Sequence, residues 1–523
     1  MEKETASVLL NVLIFSPLIG IPVLWAMKDK QVKYAALFFS VIPMLLSWLL
    51  YAQYLRFSTI EAATDGMVFQ TTWNWLGSQL NDGSWYSRFD VKFMTGIDGI
   101  SIYLVLLTTL LFPLSIWFSW TSIHEKEKQY YLLLLLLYSG VLGVFVSLDL
   151  ILFYLFFEVG LIPMYFLIGI WGGKNRLYAA VKFFLYTLVG SLMMLIAILY
   201  IGNMAGQEIN NGIFTTDFYK ISKISIPADI QIWLFLGFAL SFAIKVPLFP
   251  LHTWLPDAHV QAPTSGSVIL AGVLLKMGTY GLVRFCLPFF PQASVVFAPY
   301  LCALGVIGII YGAMVAMVQT DIKKLIAYSS VAHMGFIILG IFSMNPDAMS
   351  GAVLQMINHG ISTGALFLIV GMIYDRRHTR EIKDFQGLAK QVPIFTLFFM
   401  ITTLSSIGLP GLNGFVGEFL VLIGSFQSTY VSKAFAIISA TGVIIAAVYM
   451  LWMFRRVMFG ELDKTENKEL TDLTRHEVLI LMPLVVLMFV IGFHATPFLQ
   501  EIGKSSDKIL DVVVKINQQV TMY

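Results

Sequence analysis

The sequence predicts an all-α polytopic membrane protein with about fourteen transmembrane helices. Three observations predict it: an apolar composition, the lengths of the apolar runs, and a lopsided distribution of lysine and arginine. Hydrophobic residues make up 58% of the 523 and charged residues only 12%, with a mean hydropathy of +0.80. A soluble domain of this length carries about twice that share of charge. A spanning helix needs about 20 mostly apolar residues. Fourteen stretches qualify, at 7–27, 33–54, 96–119, 129–147, 149–171, 177–201, 229–250, 263–286, 294–318, 323–343, 347–374, 391–425, 431–457 and 475–494. They leave a single integral membrane domain over 1–523. The first run is long, with no basic cluster before it and no small-residue cleavage site after it, so no cleavable signal peptide is expected.

The basic residues set the expected orientation. With the N-terminus outside, inside loops and helix ends hold 19 of the lysines and arginines and outside segments hold 10, the remaining four lying within spans. Positive charge collects on the inner side of membrane proteins, so both termini are expected outside. The formal charge of +2 then reflects topology and predicts no nucleic-acid partner. Segments 57–91 and 202–228 read as solvated outer loops, and DRRHTREIKDFQGL after the eleventh span as a charged inner loop with a solvated face, partner docking being the alternative.

The two cysteines, Cys286 and Cys302, form no CxxC pair, so neither an iron-sulfur nor a structural zinc site is expected. No Walker loop and no GxGxxG between a strand and a helix is present, which removes the nucleotide-binding fingerprints.

Two spans are interrupted. The seventh, with the connection after it, reads SFAIKVPLFPLHTWLPDAHV, with Pro247, Pro250 and Pro256; the twelfth reads SSIGLPGLNGFVGEFL, with Pro410, Gly411 and Gly414 ahead of Glu418. Proline removes a backbone donor and clashes with the preceding turn. Irregular backbone at membrane depth needs shielding from lipid, so both breaks point inward. Each is the fourth helix of a five-helix block, 129–286 and 294–457, and the two blocks enter from opposite sides. That pattern predicts an inverted repeat with its ion site near the midplane; simple kinks are the plainer alternative.

Ionisable groups in hydrocarbon cost a few kcal/mol each, so they mark candidate function. Glu158 lies in the fifth span, Lys245 in the seventh, Lys276 in the eighth and Glu418 in the twelfth; His333 and His359 lie near the centres of the tenth and eleventh. A Glu158–Lys245 pair would keep both groups ionised, and separating it would release or capture a proton. Lys276, the histidines and Glu418 could form a lateral hydrated relay. A structural ion-pair clamp and hydrogen-bonded core histidines are the alternatives. Lys182 is expected to snorkel to the interface, Arg284 to sit near the outer end of its span, and Asp98 to cap the third. His252, Asp257 and His259 fit either a proton inlet or a polar connection. Trp117, Trp120, Trp171 and Trp254 read as interfacial belt residues.

The stretch at the seventh span, followed by QAPTSGSVILAGVLLKMGTYGLVRF, QTDIKKLIAYSSVAHMGF, NHGISTGALFLIVGMIYDR and LPGLNGFVGEFL, closely resembles the M subunits (chain 4) of proton-pumping NADH:quinone oxidoreductase, respiratory complex I. The match runs from about the third span to the thirteenth. The resemblance implies fourteen helices with two inverted repeats and broken helices 7 and 12. It assigns Glu158 and Lys245 as the charged pair, Lys276 as the central lysine, Glu418 as the terminal glutamate, and His333 and His359 to the hydrophilic axis. The glutamate in the twelfth span favours M over the paralogous L and N subunits, which resemble it in plan and which the resemblance makes its neighbours. It also implies that this chain binds no cofactor or metal itself. NADH, FMN, iron-sulfur clusters and quinone are then expected in partner subunits, and the chain length favours a bacterial inner membrane over an organellar one. The D-type chain of a multi-subunit sodium/proton antiporter and an inert scaffold are the competing functions.

Overall fold

The computed structural model describes residues 3–58, 66–77 and 85–520. Thirteen helices within it are long and apolar enough to span a bilayer: Thr5–Ala26, Asp29–Phe57, Ser101–Ser122, Glu127–Val146, Leu150–Trp171, Arg176–Ile209, Ala228–Lys245, Thr264–Phe289, Pro291–Met317, Ile322–Phe342, Pro346–Arg377, Lys433–Met458 and Arg475–Phe493. The remaining expected span is two shorter helices, Pro393–Ser406 and Asn413–Gln427. The chain is thus an all-α polytopic membrane protein, broken where the prolines and glycines lie.

Burial divides the spans by position. The eighth and eleventh are wholly enclosed by the rest of the chain and the tenth is nearly so, whereas the second, thirteenth and fourteenth present mostly open faces. Leu177, Trp233, Ile444 and Phe493 are among the exposed apolar side chains, as a hydrocarbon solvent requires. Polar residues therefore have to be accommodated along the enclosed helices, and that is where the candidate residues gather.

The seventh span stops at Lys245 and resumes as Trp254–Gln261. Across the break, Trp254 donates its indole N–H to the carbonyl of Ile244 at 2.9 Å. Trp254 is fully buried, so it fastens the break and is not a belt residue. The other three tryptophans expected in the belt also have specific partners. Trp171 donates to the Glu125 carbonyl, and the rings of Trp117 and Trp120 pack on His476.

The eighth span is irregular without proline in its interior. Two π-helical turns, Leu270–Leu274 and Leu282–Cys286, flank the α-helical segment Leu275–Gly281. Such turns shift the hydrogen-bond register and recur at functional sites.

The segments expected to be solvated loops are largely built structure. Val68–Leu76 and Phe89–Ile97 form an antiparallel ribbon, and a short strand at Phe214–Thr215 joins it. The part of the first expected loop at 59–65 and 78–84 lies outside the described residues. Lys92 and Lys220 pair with Asp90 and Asp217, tying the ribbon to the 210–221 connection. The charged segment after the eleventh span is likewise fastened. Arg376 donates to both carboxylate oxygens of Glu477, at 2.6 and 2.7 Å, and Arg380 pairs with Asp321. These residues carry too many internal bonds to be a free solvated face.

Candidate functional site

Four of the six candidate residues form one connected line through the enclosed helices. The Lys276 amine lies 2.7 Å from Nδ1 of His359 and donates to the Ala271 carbonyl at 2.6 Å. Ala271 belongs to the π-turn one turn earlier, so the helix irregularity supplies an acceptor to the buried amine. The His359 and His333 rings come next, with centroids 5.8 Å apart. Nδ1 of His333 then meets Oε1 of Glu418 at 2.7 Å. Lys276, His359, His333 and Glu418 are all buried.

Polar groups from neighbouring turns enclose this line. Gln355 donates to Oε1 of Glu418 at 3.0 Å, and Asn358 donates to Gln355 and to the carbonyl of Asn413. Ser406 stands 3.4 Å from Nε2 of His333, and Asn413, at the resumption of the twelfth span, bonds Ser405 and Ser362. Between the two histidines and these side chains is a cavity of about 10 Å³, close to the lower limit for one water. The break in the twelfth span at 407–412 brings Ser405, Ser406 and Asn413 into this enclosure.

Gln355, Asn358, Ser362, Ser405, Ser406 and Asn413 were not among the expected site residues. Three of them were legible: Gln355, Asn358 and Ser362 recur with His359 at three- and four-residue steps, one stripe of a helix. Ser405, Ser406 and Asn413 carry no such signal, because a break in the helix decides where they point.

The fifth and seventh spans contribute the other two residues. Glu158 is half-buried and lies within electrostatic reach of Ser191 and Lys245. Lys245 is 2% exposed, yet among the described residues no ion pair joins it to Glu158. Its ammonium stands over the rings of Phe157, at 4.9 Å, and Phe183, at 5.8 Å. The expected pair shares a neighbourhood but is apart, with aromatic faces in place of a carboxylate.

Three further residues have surroundings that the sequence did not indicate. Lys182 bonds Asp257 at 2.7 Å, beside the seventh-span break, with both side chains partly exposed. Arg284 bonds Asp98 at 2.6 Å with both side chains buried. Asp98 also accepts from the backbone of Ile100 and Ser101, so it caps the third span while neutralising an arginine. His259 is fully buried against Phe367, with neither ring nitrogen hydrogen-bonded to protein, and Lys323 and Lys276 are its charged neighbours. Among the described residues no group of three or more His, Cys, Asp and Glu side chains is arranged to hold a metal.

Comparison with known proteins fits this arrangement. The transmembrane family of NADH:quinone oxidoreductase and Mrp antiporter subunits matches residues 147–445. NADH-quinone oxidoreductase subunit M of Rhodobacter capsulatus is 45% identical over 517 residues, covering 95% of both chains. The chain belongs to the subunit M family. NADH-ubiquinone oxidoreductase chain 4 of Chondrus crispus is 42% identical over 95% of this chain and 96% of its own. Among solved structures, a chain of respiratory complex I from Thermus thermophilus superposes with a TM-score of 0.84 at 29% identity, covering 96% of this chain and 99% of that one. The Mrp complex of a Dietzia species shares the fold, with a TM-score of 0.78 at 21% identity over 96% of this chain and 52% of that one. In subunit M terms, the enclosed helices carry the polar line and the open faces meet lipid or partner chains.

Proposed function

We propose that this chain is a proton-translocating, antiporter-like subunit in the membrane arm of an NADH:quinone oxidoreductase. NADH oxidation and quinone reduction take place in other subunits, with their FMN and iron-sulfur clusters, and drive proton movement along the buried axis here. The observation that carries the reading is the line Lys276–His359–His333–Glu418. Lysine and carboxylate stand at its ends, two imidazoles stand between them, and hydrogen bonds of 2.7 Å close both end contacts.

An ammonium at Lys276 can give its proton to Nδ1 of His359, an imidazolium can pass it to His333 by ring rotation or one intervening water, and Glu418 stabilises the cation formed there. Each step moves one proton between groups in or near hydrogen-bond contact. Glu158 and Lys245 form the switch. Closing their gap sets two opposite charges together, whereas the open arrangement leaves each desolvated, so alternation changes the cost of holding a proton on either.

In this reading 129–286 and 294–457 are the two inverted repeats, both termini lie on the outer side of a bacterial cell membrane, and no redox centre resides in the chain. Glu158, half-buried in the fifth span, faces a neighbouring antiporter-like subunit of the L or N type.

The test uses the whole assembly, purified through a tag on this chain. NADH-driven quinone reduction should copurify, and Lys276→Met should lower protons moved per NADH in proteoliposomes while leaving the uncoupled redox rate intact. Unchanged proton yield in Lys276→Met overturns the reading. Purification with small membrane partners and no redox activity replaces it with a gradient-driven antiporter.

A further inference from the structure

Lys245 ends the first segment of the seventh span with its ammonium over two ring faces, 4.9 Å from the centroid of Phe157 and 5.8 Å from that of Phe183. Both distances lie within the ~6 Å over which the negative face of a ring attracts a cation. All three side chains are buried, and desolvation puts the attraction toward the upper end of its range.

The rings are wedged in place, whereas the charge is carried on a flexible four-carbon stem. Phe157 packs on Phe153 and Phe242, with centroids 5.6 and 6.1 Å away. Phe183 packs on Trp254 at 5.3 Å, the residue that fastens the seventh-span break to the Ile244 carbonyl. An opposite charge is close by, since Glu158 directly follows Phe157 and is within electrostatic reach of Lys245. The fifth span is also broken there. It consists of two helices, Leu150–Val159 and Leu161–Trp171, parted at Gly160, and Pro163 offers no N–H to the Val159 carbonyl. Lys245 thus has two alternative partners, a pair of fixed rings and a carboxylate beside a helix break.

We infer that Phe157 and Phe183 are positioning residues that form a cation–π latch, holding the Lys245 ammonium away from Glu158 and so setting how readily that pair closes. The inference rests on the Glu158–Lys245 switch described above and names the residues that hold it open. No proton passes to the rings. Closing exchanges two ring faces for one carboxylate, so weakening the faces shifts the population toward the closed pair. Phe157, the nearer ring, contributes more than Phe183.

Phenylalanines in a packed core could instead be apolar filling, and fluorination separates the two roles because it drains the ring's negative face while nearly keeping its shape. Mono-, di- and trifluorophenylalanine are placed at position 157 or 183 in the complete assembly. A hydrophobic carbodiimide, which adds to a carboxyl holding a proton and spares a carboxylate paired with a cation, is then applied. The adduct at Glu158 is measured by mass spectrometry. The latch predicts labelling that falls stepwise with fluorine number, at least about twofold for trifluorophenylalanine at 157 and less at 183. Equal labelling across the series at 157 overturns it, as does a parent in which Glu158 takes no label, because the pair is then closed at rest. Should the series at 157 fail to assemble, the series at 183 decides by the same trend. Protons moved per NADH in proteoliposomes, with Lys245→Met alongside, test the switch separately. Graded labelling together with an unchanged proton yield in Lys245→Met keeps the latch and overturns the switch.

Discussion

Arg284 and Lys182 are both cations within spanning helices, each with a carboxylate at hydrogen-bond distance, but their surroundings predict different consequences of removal. The Arg284–Asp98 pair is 4% exposed on both sides. Arg284→Ala therefore strands a buried carboxylate, and a loss of about 3–5 kcal/mol is expected, read as a lowered unfolding temperature of the purified assembly. The Lys182–Asp257 pair is 19% and 38% exposed, so Lys182→Ala should cost under about 1 kcal/mol. Equal losses in the two variants would contradict this account. Asp149, in the connection before the fifth span, supplies a pH-dependent term. Burial pushes its carboxyl up to about 6, against the hydrogen bonds it accepts from Thr216 and from the backbone of Lys92, Leu152 and Ile151. The folded chain thus binds this proton more tightly than the unfolded chain does, so stability from this group is greatest below pH ~4 and falls as pH rises to about 6. Asp149→Asn should remove that slope. Unfolding midpoints of parent and variant between pH 4 and 7 should diverge up to about 6 and run parallel above it.

Among the elements, the broken helices were readable in advance because proline and glycine announce them, whereas the π-turns of the eighth span arise from no particular residue type. The eleventh span shows how an element sets the site. It carries Gln355, Asn358 and His359 toward the twelfth, and Gly417 is the reason the two can meet. A Cβ at Gly417 would collide with the Gln355 side chain and press on the Asn358 amide. Gly417→Val should therefore push the helices apart and break the Gln355–Glu418 bond, at about 1–3 kcal/mol and with reduced proton yield per NADH. Retained yield in a variant that still assembles would show that this contact does not hold Glu418. The helix Thr496–Val520 was not expected, although Ile502, Ile509, Leu510 and Val513, all buried, fall at helical spacing. Uniform hydrophobicity marks a span, and this helix lacks it because it is amphipathic.

Across the molecule, charge asymmetry predicts orientation, and the structure fastens the connections at each end. The ribbon at 68–97 and the C-terminal helix stand together at one end, joined through Gly66, Lys508 and Ser505. The Arg376–Glu477 and Arg380–Asp321 bonds fasten the connections at the other. If both termini are outside, a single cysteine placed after Tyr523 reacts with a membrane-impermeant thiol reagent in intact cells, while one at Lys383 reacts only in inverted vesicles. The reverse pattern would invert the assigned topology.

Hydrophobic length and the cost of charge in hydrocarbon act on composition alone, so the sequence by itself determined the class, the number of crossings, the two breaks and the short roster of buried ionisable residues. Glu158, Lys245, Lys276, His333, His359 and Glu418 stood out because each is costly where it lies. Which of them touch depends on helix packing and side-chain direction, which sequence spacing does not encode. The tertiary structure alone decided that Lys276 meets His359 and His333 meets Glu418, that Lys245 faces phenylalanine and not Glu158, and that Arg284 reaches across 186 positions to Asp98. Residues far apart in the chain are set in contact by the closing of the whole bundle, and only the folded chain carries that information.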